Sequence, residues 1–169
     1  MKTIKMLFVT ALLSLLMLSC SREEPVLAPV VVEPTVIKIN EIYSRGVVDA
    51  PDWIEIYNAS SFPVDISAYK IYDTGGQGGT KPKMTFPANT IIPAKGYYVI
   101  VTDILLTVNP AGFGLSSGGE EVWLENGTGT VIDDVVFPAM DVTQTYSRIP
   151  DGSATWALTS SITKGAANK

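Results

Sequence analysis

The sequence predicts an all-β domain built as a sandwich or barrel, on three observations. Short segments rich in Val, Ile, Tyr and Trp follow one another from Val36 onward, and these residue types suit a pleated, half-buried surface. Several of the segments alternate in polarity with the two-residue period of a strand. Gly, Pro and Asn punctuate the gaps, and no stretch keeps a helical period between caps.

In chain order the expected strands cover residues 36–43, 53–57, 64–72, 97–102, 121–125 and 131–137. Ile54 and Ile56 share one face of the second, with Trp53, Glu55 and Tyr57 on the other. Val122 and Leu124 oppose Glu121, Trp123 and Glu125 in the fifth. The fourth sets Tyr97, Val99 and Val101 against Tyr98, Ile100 and Thr102, so it has two apolar faces and reads as a more central strand. Asn126-Gly127, between the last two strands, signals a hairpin. The glycine-rich run 75–79 lacks the Lys-Ser/Thr and the helix that a phosphate loop requires, and is expected to be a flexible loop.

Ahead of the strands, residues 1–19 read as an export signal. Lys2 and Lys5 precede an apolar run from Met6 to Leu18, which is too short to span a bilayer needing about 20 residues. The closing Met17-Leu18-Ser19-Cys20 resembles a lipoprotein signal, in which the cysteine is lipidated and becomes the new N-terminus. Cys20 is the sole cysteine, so no disulfide accounts for it. Residues 20–34 follow as lipid anchor and tether, with prolines at 25, 29 and 34, an extended and semi-rigid composition. Glu23 and Glu24 just behind the cysteine resemble the surface-export signal of lipoproteins in Bacteroidota-type bacteria. The expected location is the cell envelope, as an outer-membrane lipoprotein on the outer face, with the lipid anchor as its membrane contact.

Loss of the signal leaves one domain, residues 35–169, behind the tether. Lys2 and Lys5 leave with it, so 10 positive side chains remain against 17 negative ones. That balance has the wrong sign for phosphate backbones, and no nucleic-acid partner is expected. The chain has no His, which excludes Ser-His-Asp and Cys-His catalysis and His-ligated metals. Carboxylate-pair glycoside hydrolysis or oxygen-ligated Ca²⁺ remain open to these residue types. No cofactor is expected.

The order of segments resembles the lamin tail domain. Ile39-Asn40-Glu41-Ile42 is similar to that family's opening strand, and Asp52-Trp53-Ile54-Glu55-Ile56-Tyr57-Asn58 to its most recognisable motif. Val64-Asp65-Ile66-Ser67-Ala68-Tyr69, Phe86-Pro87 and Ala94-Lys95-Gly96-Tyr97-Tyr98-Val99 continue the likeness. Phe113-Gly114-Leu115-Ser116 with Gly119-Glu120-Glu121-Val122 resembles the turn into the next hairpin. Ser147-Arg148-Ile149-Pro150-Asp151-Gly152-Ser153 with Trp156 resembles the closing motif. The final Thr163-Lys164-Gly165-Ala166-Ala167-Asn168 has Lys164 where a second Pro is usual. The resemblance implies an immunoglobulin-like β-sandwich and little chemistry, so the expected role is a non-enzymatic binding or interaction module with a protein or glycan partner. The alternative is an accessory carbohydrate-binding domain of a surface glycan-processing system. A fold carries no function by itself.

Few side chains stand out as functional. Glu41, Asp49, Asp52 and Glu55 form one acidic concentration and Asp133, Asp134 and Asp141 another. Neither has the spacing of a compact Ca²⁺ loop, and no metal site is expected. Trp53, Trp123 and Trp156, with Tyr57, Tyr69, Tyr97 and Tyr98, offer either core packing or a sugar-binding platform. Core is the expectation for Trp53 and Trp156. Trp123, flanked by Glu121 and Glu125, is the candidate for an exposed contact. Arg148 is expected to fix the closing segment through several hydrogen bonds to carbonyls or a carboxylate.

Overall fold

The structure, a computed structural model, describes residues 36–45, 51–102 and 111–169. The export signal, Cys20, the tether and Asp49 lie outside the described residues. The isoleucines of the first two expected strands all reach the interior, Ile39 and Ile42 on either side of a bulge. Ile37, Ile39 and Ile42 of β1 (Ile37–Tyr43) and Ile54 and Ile56 of β2 (Trp53–Asn58) are buried. With β7 (Tyr97–Val101), β10 (Thr145–Arg148) and β11 (Trp156–Thr159) they form a five-stranded antiparallel sheet in the order β11-β10-β1-β2-β7.

A second sheet has the order β5-β4-β8-β9, from β4 (Lys70–Asp73), β5 (Met84–Thr85), β8 (Gly119–Glu125) and β9 (Val131–Pro138). Its inner residues Ile71, Val122, Leu124, Val135 and Phe137 join the isoleucines of the first sheet in one core, closed by Phe86 and Phe113. β3 (Val64–Asp65) and β6 (Ile91–Ile92) pair as a small separate ladder. The result is the immunoglobulin-like β-sandwich expected from the sequence. Gly119 opens β8 with φ +91, and a Cβ there would stand 2.6 Å from the Phe137 carbonyl oxygen, so only glycine lets β8 meet β9.

Three expectations are corrected. The strand read over 64–72 is two strands in different ladders. Asp65 accepts hydrogen bonds from the Ser67 backbone and hydroxyl, and Ala68 turns to φ 63, which ends the extended run. The strand at 97–102, taken as central for its two apolar faces, lies at an end of the five-stranded order. Its outer aromatic, Tyr97, packs beside Tyr57 at 5.1 Å between ring centres. The strand buried on both faces is β2, polar Glu55 included.

The run 75–79 is not a plain loop either: residues Thr74–Gln77 form a single helical turn, α1, capped by Asp73, whose carboxylate accepts from the Gly76 amide at 3.0 Å. Glycine is needed at 76 because a Cβ would fall 2.6 Å from that of Tyr72. The expected β8–β9 hairpin is present, and within its loop the residue at positive φ is Gly129. Asn126 organises the loop by accepting from the Thr128 and Thr130 amides.

Candidate functional site

Strand register places Glu41 of β1 opposite Glu55 of β2. Like charges directly opposed in a sheet repel, and both side chains are fully buried, which compounds the cost. The compensation is a cover of hydrogen-bond donors from residues 160–168, which lie across this outer face. The Thr163 amide and hydroxyl donate to Glu41 at 3.1 and 2.9 Å. The Gly165 amide donates to Glu55 Oε2 at 2.7 Å, and Asn40 Nδ2 to Glu55 Oε1 at 2.9 Å. Asp151 accepts from the Asn168 amide, from Asn40 and from the Tyr97 hydroxyl. Asn168 in turn donates to the Asn40 and Arg148 carbonyls. Burial pushes the Glu55 carboxyl from 4.5 up to about 7; the bonds from Asn40 and Gly165 pull it down, and Glu41 and Asp151 push it further up.

Beside this layer Arg148 is buried and uses all three guanidinium nitrogens. Nε donates to the Ile39 carbonyl at 2.7 Å, Nη1 to the Ser153 carbonyl, and Nη2 to both oxygens of Asp133 at 3.0 Å. Its guanidinium carbon sits 4.6 Å from the centre of the Trp156 ring. Asp133 also accepts from the Ile39 amide at 2.8 Å and meets Lys38 at 3.7 Å. The expected role of Arg148, fixing the closing segment through carbonyls and a carboxylate, is what the geometry gives. It also ties β9 of one sheet to β1 of the other.

A family model described as the Lamin Tail Domain matches residues 33–139. The chain belongs to the lamin tail domain family. No curated protein matches it. The matched span ends before β10, so β10, β11 and the segment over Glu41 and Glu55 lie beyond it while completing the five-stranded sheet.

In this lamin tail domain the other candidate residues scatter. Trp123 is half-buried on the outer face of β8 and stacks on Tyr72 at 6.0 Å, and Tyr72 itself is covered by Lys83 and α1. Trp53 is 3% exposed and stacks on Tyr43. Trp156 is half-buried between Tyr146 and Arg148. Among the described residues Phe62 is the one exposed aromatic, so the rings make no open row. A hollow of about 240 Å³ opens beside Trp53, lined also by Tyr43, Pro51, Ile162 and Lys164.

Of the first acidic concentration Glu41 and Glu55 meet across β1 and β2; of the second, Asp133 belongs to Arg148 and Asp134 and Asp141 are exposed, and among the described residues no group of three or more ligand-type side chains could hold a metal ion. On the second sheet, Glu125 is held below the usual carboxylate range by Lys83 and Lys70, at 2.8 and 3.2 Å.

Sequence reasoning singled out neither Asn40 nor Asn168 as a hub, nor Asp151 and Gly165. All four fall inside the motifs that resemble the family, but their spacing in sequence gives no hint that they meet. The departure at Lys164 has a local explanation. Ala166 donates to the Thr163 carbonyl at 2.7 Å around Gly165 at φ +79, a turn whose second position suits Pro but accepts most residues.

Proposed function

We propose that this chain is a lipid-anchored lipoprotein of the cell envelope, displayed on the outer face of the outer membrane, whose lamin tail domain acts as a non-enzymatic interaction module. The observation that carries the non-enzymatic part is the engagement of its buried carboxylates. Glu41, Glu55, Asp73, Glu125 and Asp133 are each bound by donors of the domain itself. A glycosidase pair must instead face a substrate across an open cleft. The accessory carbohydrate-binding reading is less well supported, because Trp123 stacks on a covered tyrosine rather than extending an exposed row. Support for the anchor is the sole cysteine, Cys20, behind its apolar run.

Cell fractionation tests the anchor: Cys20→Ala should move the protein from membranes to the soluble fraction, and a variant that stays wholly in membranes sinks that part. Protease treatment of intact cells tests the outward display, since an inward-facing domain would survive. For the binding role, residues 35–169 should retain a protein partner from envelope extracts and bind it saturably once purified. Saturable binding to glycans with no protein partner would favour the alternative.

A further inference from the structure

We propose that β7 is a self-pairing edge, through which two copies of this chain join antiparallel about a two-fold axis at Val99. Backbone register identifies the groups that make the joint. The Asn58 amide donates to the Gly96 carbonyl at 3.0 Å and the Thr102 amide to the Asp52 carbonyl at 2.9 Å. Between those bonds the antiparallel ladder makes Ile56 with Tyr98, and Ile54 with Ile100, its hydrogen-bonded pairs. The amides and carbonyls of Tyr97, Val99 and Val101 therefore point away from β2. Among the described residues none of these six groups meets a hydrogen-bond partner.

An edge left to water is normally blunted by a charge, a proline, a bulge or shortness. The other edges of the two larger sheets are blunted in this way. β9 carries Asp133, Asp134 and Pro138, β5 is two residues long and β11 four. β7 reads Tyr-Tyr-Val-Ile-Val, with no charge, no proline and an unbroken register against β2. Its composition is that of a strand with neighbours on both sides, and its place in the sheet supplies one.

The partner that fits is the same strand in a second copy. With the axis at Val99, that residue faces the partner's Val99, and Tyr97 faces the partner's Val101. In this register all six unpaired groups of each edge are satisfied at once, and the same patch serves both copies. The chain is acidic, with net charge −5, so two copies approach most easily along a segment that carries no charge. The joint is mainly hydrogen bonds over five residues and buries little area, so the association is weak and grows with local concentration.

Crosslinking of the full chain in whole cells reads this, in whichever fraction the chain is found. Val99→Cys should give a covalent dimer with a short bifunctional maleimide. Val136→Cys, at a residue of the other sheet that is 66% exposed, should give none. The unaltered chain, whose one cysteine is Cys20, sets the background. Co-purification of two differently tagged copies is the second readout. Val99→Pro in both copies deletes the two central bonds of the joint and no bond to β2, so recovery of the second tag should fall about tenfold or more. Val101→Pro, which deletes the two outer donors in the same way, should act alike, and both variants should keep a cooperative urea transition. Crosslinking no greater at 99 than at 136, recovery that both proline variants leave intact, or Val99→Cys joined to a different protein instead of its own copy would each overturn the proposal.

Discussion

Truncating Arg148 to Ala should be among the most damaging single changes in the domain. The guanidinium is buried and makes four hydrogen bonds, two of them to Asp133, and it rests on Trp156. Its loss strands a carboxylate whose side chain is 8% exposed, with the Ile39 amide at 2.8 Å and Lys38 at 3.7 Å as its remaining partners. Breaking a buried pair from one side typically costs about 3–5 kcal/mol, because the survivor keeps its desolvation penalty. For a domain of this size that lowers Tm by roughly 10–15 °C. Urea denaturation of residues 35–169 would measure the loss. In the double variant Arg148→Ala with Asp133→Asn, the stranded charge is gone, so the two costs should add to more than the double variant shows. A loss under about 1 kcal/mol, or strict additivity, would mean that Arg148 does not join β9 to β1 in solution.

Other expectations follow from the same geometry. Glu55 has a folded value of about 7 against 4.5 unfolded, so its ionisation penalty is absent below pH 4.5 and complete above about pH 7. Stability should therefore fall by up to about 3 kcal/mol across that window, and urea midpoints for Glu55→Gln should not show this fall. Glu125 works the other way: held low by Lys83 and Lys70, it contributes stability that is lost as pH drops below the ordinary carboxylate range. Trp53→Ala should cost about 3–5 kcal/mol in chemical denaturation, and a loss below about 1 kcal/mol would place that ring at the surface. Residues 35–169 should not bind DNA at about 150 mM salt, because binding needs several free cations. Lys81 and Lys83 are paired with Asp73 and Glu125, and Lys95 donates to the Ala59 carbonyl. A salt-dependent low-micromolar affinity in a fluorescence titration would contradict that.

The parts of the fold legible in sequence were those written in apolar alternation. β1, β2, β7, β8 and β9 carry Ile, Val, Tyr or Trp at strand spacing and appear within a few residues of where the pattern puts them. β10 and β11 escaped because Thr-Tyr-Ser-Arg and Trp-Ala-Leu-Thr show no such alternation; pairing with β1, rather than local preference, makes them strands. β5 and β6 are two residues each, too short to leave a period. The hub around Asn40 was illegible for another reason: its partners Glu55, Asp151 and Gly152 are 15 to 112 residues away in sequence. Arg148 was legible because it falls in the Ser-Arg-Ile-Pro-Asp-Gly closing motif, where a guanidinium's several donors suit carbonyls and a carboxylate.

Residues 160–168, which cover Glu41 and Glu55, are gripped largely by their main chain. Thr163, Gly165 and Asn168 present backbone amides to fixed carboxylates, whereas Lys164, Ala166 and Ala167 turn outward. The Thr163 hydroxyl and the Asn168 side chain add bonds of their own, but between them recognition reads the path of the chain and is nearly blind to the outward side chains. Provided the Gly165 turn is kept, those three outward positions form a display site on the rigid sheet. Short epitopes or reactive handles grafted there would be presented in one fixed conformation, and natural variation could explore new contacts there without loosening the sandwich.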